Sequence, residues 1–262
     1  MKKYLYFNYF RDKNPGRHAE YSLCVKQNFE HQWIDGYKIF LEDQDHATDL
    51  PQDSRIEIIP LSRRMEFRDV IDHAHKYLEP NSVVIIINLD IYLFGPHWQH
   101  IDRDFFSQGH AHKAMVCTRF NLQANTDPGK KIFDIESLNW YKGDFCDAYV
   151  LATPFAPGFI TEDLEFRVGN APQCDNLMMF LMQRYYHTYS WGSKYQIVHV
   201  DICRGLDYQG KIFATKENAD NRARVRQHEH INIPTQQPWQ QLLDSGREPT
   251  WTWTWFDFSR TQ

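Results

Sequence analysis

The chain has 262 residues, enough for one large α/β domain or two small ones around a substantial core. Its net charge of -5 is mild, and acidic and basic residues are interspersed, which leaves no electrostatic footprint for duplex nucleic acid or an anionic membrane. No run is apolar over the length needed to cross a bilayer, so the sequence reads as soluble, or membrane-associated only through partners, with no transmembrane segment and no nucleic-acid partner, and its scattered cysteines suit reduced thiols in a cytoplasmic setting.

The opening "KKYLYFNYF" reads as a strand, with Asn8, Arg11 and Asp12 interrupting it too early for a signal-peptide core. After the turn "RDKNPG", a helix from about Arg17 to Phe29 places Tyr21, Cys24, Val25 and Phe29 on one side. "GYKIFLE" and "SRIEIIPL" are the second and third strands. "EFRDVIDHAHKYL" is a helix with Phe67, Val70, Ile71, Ala74 and Leu78 on its buried stripe. The next stretch, "NSVVIIINLDIYL", is a run of β-branched residues from Val83 to Ile87 with no polar alternation, as in a strand covered on both faces. In open α/β sheets, ligands gather beyond the carboxyl ends of the strands, which places Asn88 and Asp90 at a ligand crevice. A turn or helix-capping Asp after a core strand is the other reading.

"KAMVCTRF" and "CDAYVLATPF" are two further strands, with Arg119 and Asp147 near their ends. The polar, turn-rich stretch between them, "NLQANTDPGKKIFDIESLNWYKGD", reads as a long loop serving a site. "VGNAPQCDNLMMFLMQRYY" is a turn leading into a helix whose first turn carries Asp175, where a carboxylate suits the helix dipole. "SKYQIVHVDI" is a strand ending at His199 and Asp201. Cys24, Cys117, Cys146, Cys174 and Cys203 lack zinc-ligand spacing and read as reduced, buried thiols. The tail "EPTWTWTWFDFSR" puts Trp251, Trp253 and Trp255 at period two, either a sugar-stacking platform or an edge strand laid on the body.

In this order the blocks resemble those of GT-A fold glycosyltransferases of a small bacterial and viral type. The resemblance runs from the first strand to about Tyr208. "RHAEYSLCVKQNFEHQWIDGYKIFLE" is similar to the family's opening pattern of an Arg and a Glu on a helix and an Asn near its end. "INLDIYLF" is similar to its Asp-any-Asp region, and "CTRF", "GDFCDAYVLATP", "VGNAPQCDN" and "VHVDICRGLDY" to its later blocks.

The resemblance implies an α/β fold, a single GT-A-like, Rossmann-like domain with a mixed, mainly parallel central sheet flanked by helices. The domain would span 1–248, with a nucleotide-sugar-binding half at 1–95 and an acceptor-binding half at 96–248, followed by the aromatic tail 249–262. The implied activity is a hexosyl- or deoxyhexosyl-transfer from a nucleotide-diphosphate sugar to a glycan or other hydroxyl acceptor, in polysaccharide or glycoconjugate synthesis.

Asp90 would be the direct ligand of Mn2+ or Mg2+, and His199 would contact the diphosphate or the metal. Asn88 stands where the family's first Asp would be, so the site carries fewer charges for a metal. Asp175 is the first candidate for general base and Asp147 the second, Asp147 alternatively orienting the acceptor sugar. Asn88, Tyr92, Arg17, Arg64, Arg68, Arg119 and Arg204 complete the candidate nucleotide-sugar contacts. Two other classes compete: a non-catalytic carbohydrate- or nucleotide-sugar-binding protein on the same scaffold, and a nucleotidyltransferase, for which "YFRDKNPGRHAE" is a poor phosphate loop.

Overall fold

A computed structural model describes residues 1–107, 113–122, 139–140, 146–169, 174–190, 194–201, 232–234 and 253–255. Strand and helix alternate from the start: β1 (Lys2–Tyr9), α1 (Pro15–Phe29), β2 (Gly36–Leu41), β3 (Ile56–Pro60), α2 (Phe67–Tyr77), β4 (Ser82–Ile87) and β5 (Ile91–Phe94). Next come α3 (Ile101–Asp104), β6 (Lys113–Leu122), β7 (Asn139–Trp140), β8 (Cys146–Ala152), α4 (Cys174–Tyr185), β9 (His187–Ser190) and β10 (Gln196–Val200). A separate antiparallel pair, β11 (Asn232–Pro234) and β12 (Trp253–Trp255), closes the series.

The main sheet has strand order β3-β2-β1-β4-β8-β6-β10-β5, with β7 and β9 pairing onto β6. The pairings make β1, β2, β3, β4, β6, β9 and β10 run in one sense and β5, β7 and β8 in the other. The sheet is therefore mixed and mainly parallel, as the sequence suggests. No helix among the described residues is long and apolar enough to cross a membrane.

β4 is the centre of the core. Val84 and Ile86 pack on the side of α2 and α4, and Val83, Ile85 and Ile87 on the side of α1 and α3, all fully buried. Each contributes about 1.5–3 kcal/mol by leaving water. Coverage of both faces explains why the run carries no polar alternation.

Local sequence sets where the helices begin. Asn14 caps α1, its Oδ1 accepting from Gly16 N at 2.9 Å and Arg17 N at 3.4 Å, with Pro15 at the first helical position. The cap places Arg17 in the first turn, beside the strand ends. At α2 the direction is reversed: Asp69, in the first turn, reaches back so that its Oδ2 accepts from the Glu66 backbone N–H at 2.8 Å.

Two elements differ from the sequence reading. The apolar run ends at Ile87, so Asn88 to Asp90 form a turn into β5, which pairs antiparallel with β10 at the far edge. β9 is four residues of "HTYS", too short and polar for a periodicity signal. Cys24, Cys117, Cys146 and Cys174 are buried free thiols, as expected, while Cys203 lies outside the described residues. Most of the expected long loop also lies outside them, apart from the end of β6 and Asn139–Trp140 in β7. Trp253 and Trp255 belong to β12, in register with Pro234 and Asn232, and Trp251 lies outside the described residues.

Candidate functional site

Strand direction gathers the polar residues of distant segments at one edge. β1, β2, β4, β6 and β10 all end there, and β8, running the other way, begins there. Asn88 and Asp90 follow β4, Arg119 lies near the end of β6, Asp147 is the second residue of β8, and His199 is next to last in β10. Asp175 occupies the first turn of α4. The edge is thus the place where the chemistry-bearing residues meet.

Arg17 is the hub of one half. It is only 3 % exposed, and its Nη1 donates to Glu20 Oε2 at 2.6 Å, to the Val200 carbonyl at 2.9 Å and to Asp201 Oδ1 at 3.1 Å. Its Nη2 donates to Asp90 Oδ2, and its Nε to the Tyr21 hydroxyl at 3.2 Å. Burial works against the Arg17 charge, but the fields of Asp90, Tyr21 and Asp201 and the hydrogen bond to Glu20 more than offset it, so the guanidinium stays protonated. His199 Nε2 lies 3.4 Å from Asp90 Oδ2 and 4.0 Å from Asp201 Oδ2.

The other half is built on Asp147. Asn88 Nδ2 donates to Asp147 Oδ1 at 2.7 Å and Arg119 Nη1 to Asp147 Oδ2 at 2.6 Å. Burial opposes the Arg119 charge too, and it is held on by Asp147 first, then by Asp90 and Asp175. Those three carboxylates therefore act on one guanidinium.

Between the halves runs a crevice bordered by Asn8, Phe10, Arg64, Asn88, Asp90 and Gly169. Arg64 pairs with Glu42 Oε1 at 2.7 Å and stacks its guanidinium 3.9 Å above the Phe10 ring. Asn8 Nδ2 donates to the same Glu42 oxygen at 3.0 Å.

Of the candidate residues, Arg17, Arg64, Asn88, Asp90, Arg119, Asp147, Asp175 and His199 come to this edge. Tyr92 and Arg68 are engaged elsewhere. Tyr92 is 3 % exposed and packs with Cys24, Leu122, Val198 and Val200, because β5 pairs on β10 and this face of it is covered by α1. Arg68 turns its guanidinium to the carbonyls of Ile160 and Glu162, tying α2 to the segment after β8. Arg204 lies outside the described residues.

Sequence reasoning did not single out Glu20, Glu42, Asp201 or Gly169 as site residues. Asp201 was signalled by its spacing, since residues two apart on an extended chain share a face and His199 was already a candidate. Glu20 follows Arg17 at helical spacing, the distance at which an acid and a base meet. Gly169 gave no sequence signal.

Asp90, His199 and Asp201 supply oxygen and imidazole donors of the kind that suit Mn2+ or Mg2+. Among the described residues, however, no three such side chains are arranged to hold an ion. The Arg17 guanidinium already joins the Asp90 and Asp201 carboxylates. As placed, Asp90 and His199 do not by themselves form a metal site, so an ion here would need further ligands from the donor's phosphates and water.

No protein-family profile matches the chain, and no curated protein does. Solved structures do. GalNAc-T7 with UDP, GalNAc and Mn2+ is 7 % identical with a TM-score of 0.51, the match covering 86 % of this chain and 48 % of that one. This chain therefore spans about half the length of GalNAc-T7. The mannosyltransferase PcManGT from Pyrobaculum calidifontis, in complex with GDP-Man and Mn2+, is 7 % identical over 95 % of this chain and 66 % of that one, with a TM-score of 0.49. A 4-diphosphocytidyl-2C-methyl-D-erythritol synthase from Anaerococcus prevotii is 13 % identical over 86 % and 98 % of the two chains, with a TM-score of 0.43. At these identities the likeness speaks to the fold alone, and the chain has a GT-A-like, Rossmann-like α/β fold.

Proposed function

We propose that the crevice binds a nucleotide-diphosphate sugar and that the protein is a glycosyltransferase that moves the sugar to a hydroxyl of a glycan acceptor, in the cytoplasm, in polysaccharide or glycoconjugate synthesis. The observation that carries this reading is the convergence of Asp90, Asp147, Asp175 and His199 at the carboxyl edge of a GT-A-like sheet. The fold makes the donor class plausible; the carboxylates make transfer the better reading than binding alone.

In the proposed reaction the acceptor oxygen attacks the anomeric carbon, the bond to the diphosphate breaks, and the nucleoside diphosphate leaves with the bonding electrons. The acceptor proton passes to a carboxylate, and in this reading Asp175, in the first turn of α4, takes it in an inverting transfer. Asp147, fixed through both oxygens, orients the sugar hydroxyls instead. Arg64 presents a partly exposed guanidinium to the crevice and meets the phosphates. No step is assigned to a metal ion.

One observation favours the non-catalytic binder. Asp90, the expected ligand of the donor's cation, is already engaged by Arg17. Incubation with a panel of nucleotide sugars, read as release of nucleoside diphosphate, separates the two: slow hydrolysis supports the transferase, and binding without any release supports the binder.

A further inference from the structure

Asn88 sits where the resembling glycosyltransferases carry a carboxylate, and its surroundings explain the exchange. Its amide donates to Asp147 Oδ1 at 2.7 Å, so a carboxylate at position 88 would bring two anions into contact. From the other side the Asn88 side chain is pressed by Gly169. That residue has φ +64°, and a Cβ added to it would lie 2.9 Å from Asn88 Cγ and Oδ1. Only a residue without a side chain leaves room for this amide, and the left-handed backbone also favours glycine. Arg119 completes the arrangement at 2.6 Å from Asp147 Oδ2.

We infer that Asn88 is a positioning residue for Asp147, and that Gly169 and Arg119 hold the pair in one orientation for a sugar hydroxyl. A carboxylate has about four lone-pair sites, and the Asn88 and Arg119 hydrogen bonds each use one, on different oxygens. One acceptor site on each oxygen is left, and in this inference the two would take neighbouring hydroxyls of a sugar. The inference rests on the glycosyltransferase reading. It gives Asn88 a role different from donor binding: the amide acts on the sugar through Asp147.

The test uses the full chain with Asn88→Asp, Asp147→Asn, the exchange N88D/D147N, and Gly169→Ala. Three readouts are taken: melting temperature, affinity for UDP and GDP, and turnover of the nucleotide sugar that the parent hydrolyses or transfers. Asn88→Asp is expected to lower kcat by about tenfold or more, and by a larger factor than it weakens UDP or GDP binding at the crevice that residue 88 borders, and Gly169→Ala to do the same more weakly. The exchange recovers part of the melting temperature lost in Asn88→Asp, because one amide and one carboxylate again face each other although Arg119 has lost its carboxylate at position 147, but it does not restore kcat, because the carboxylate has moved. Recovery of kcat in the exchange would mean that Asp147 is only structural and would overturn the inference. So would a loss of nucleotide affinity in Asn88→Asp as large as the loss of turnover. A parent that neither binds nor turns over any nucleotide sugar overturns the glycosyltransferase reading itself, and the melting temperatures then report separately on whether residues 88 and 147 pair.

Discussion

Arg17 Nη1 in the first turn of α1 donates to Asp201 Oδ1 at 3.1 Å, across 184 residues of chain, and the same guanidinium holds Asp90 and Glu20. Removing one partner of such a buried ionic group strands the others and costs about 3–5 kcal/mol. Arg17→Gln is therefore expected to lower the melting temperature by on the order of 10 °C. The stranded carboxylates, with His199 beside Asp90, then carry buried negative charge that nothing neutralises and that an added cation can screen. Added Mn2+ should raise the melting temperature of Arg17→Gln by several degrees and leave the parent nearly unchanged. Thermal melts with and without the ion check this, and an equal gain in both proteins would contradict the view that Arg17 is what neutralises these carboxylates.

The two buried acids should separate by role. Asp175→Asn is expected to lower sugar transfer by on the order of a hundredfold while nucleoside-diphosphate affinity stays nearly intact. Asp147→Asn keeps a neutral partner for Arg119 but loses a charge beside it, so it should lower both the melting temperature and turnover. Steady-state kinetics beside thermal melts would reverse the assignment if Asp147 gave the pure loss of turnover and Asp175 only a loss of stability.

Acid sensitivity should begin near neutrality. Burial lowers the pKa of both His31 and His73 below 6.5, against the hydrogen bonds to the Leu93 carbonyl and to Glu57 that work in the other direction, with Lys38 and Lys76 adding to the lowering at His73. The folded state then binds fewer protons than the unfolded chain between the lowered values and about 6.5, so stability rises with pH through that window. Their contribution is complete above about 6.5 and is lost as pH falls below it. The melting temperature should fall between pH 7 and pH 5, and less steeply in the variant carrying His31→Gln and His73→Gln. Parallel curves for the two proteins would rule these histidines out. Asp49 and Asp53, held low by Arg11 and Arg55, add a separate loss below about pH 4.

Much of the scaffold was legible in the sequence because its signals are local. Val83 to Ile87 show a covered strand by lacking alternation, and the α2 stripe appears at helical spacing. The gathering of Asn88, Asp90, Asp147 and His199 followed from a rule about strand ends. What was hidden depends on contacts between distant segments. Arg17 was one of several arginines offered as donor contacts, and its burial depends on Asp90 and Asp201 arriving from the ends of two other strands. Tyr92 follows the Asp90 turn in sequence, yet β5 travels to the far edge and is covered there by α1. Arg68 lies near the same crevice in sequence terms and is spent on two carbonyls of the segment after β8. Pairing partners with no periodic signature are invisible until the sheet order is known.

The central claim is that the crevice beside Asp90 and Arg64 is a nucleotide-sugar donor site, and isothermal titration of UDP and GDP tests it most directly. The parent should bind at least one of them, and Arg64→Ala, still folded by its melting curve, should weaken that binding by about tenfold or more, equivalent to about 1.4 kcal/mol. Absence of binding to either diphosphate, or binding that the variant retains in full, would contradict the account.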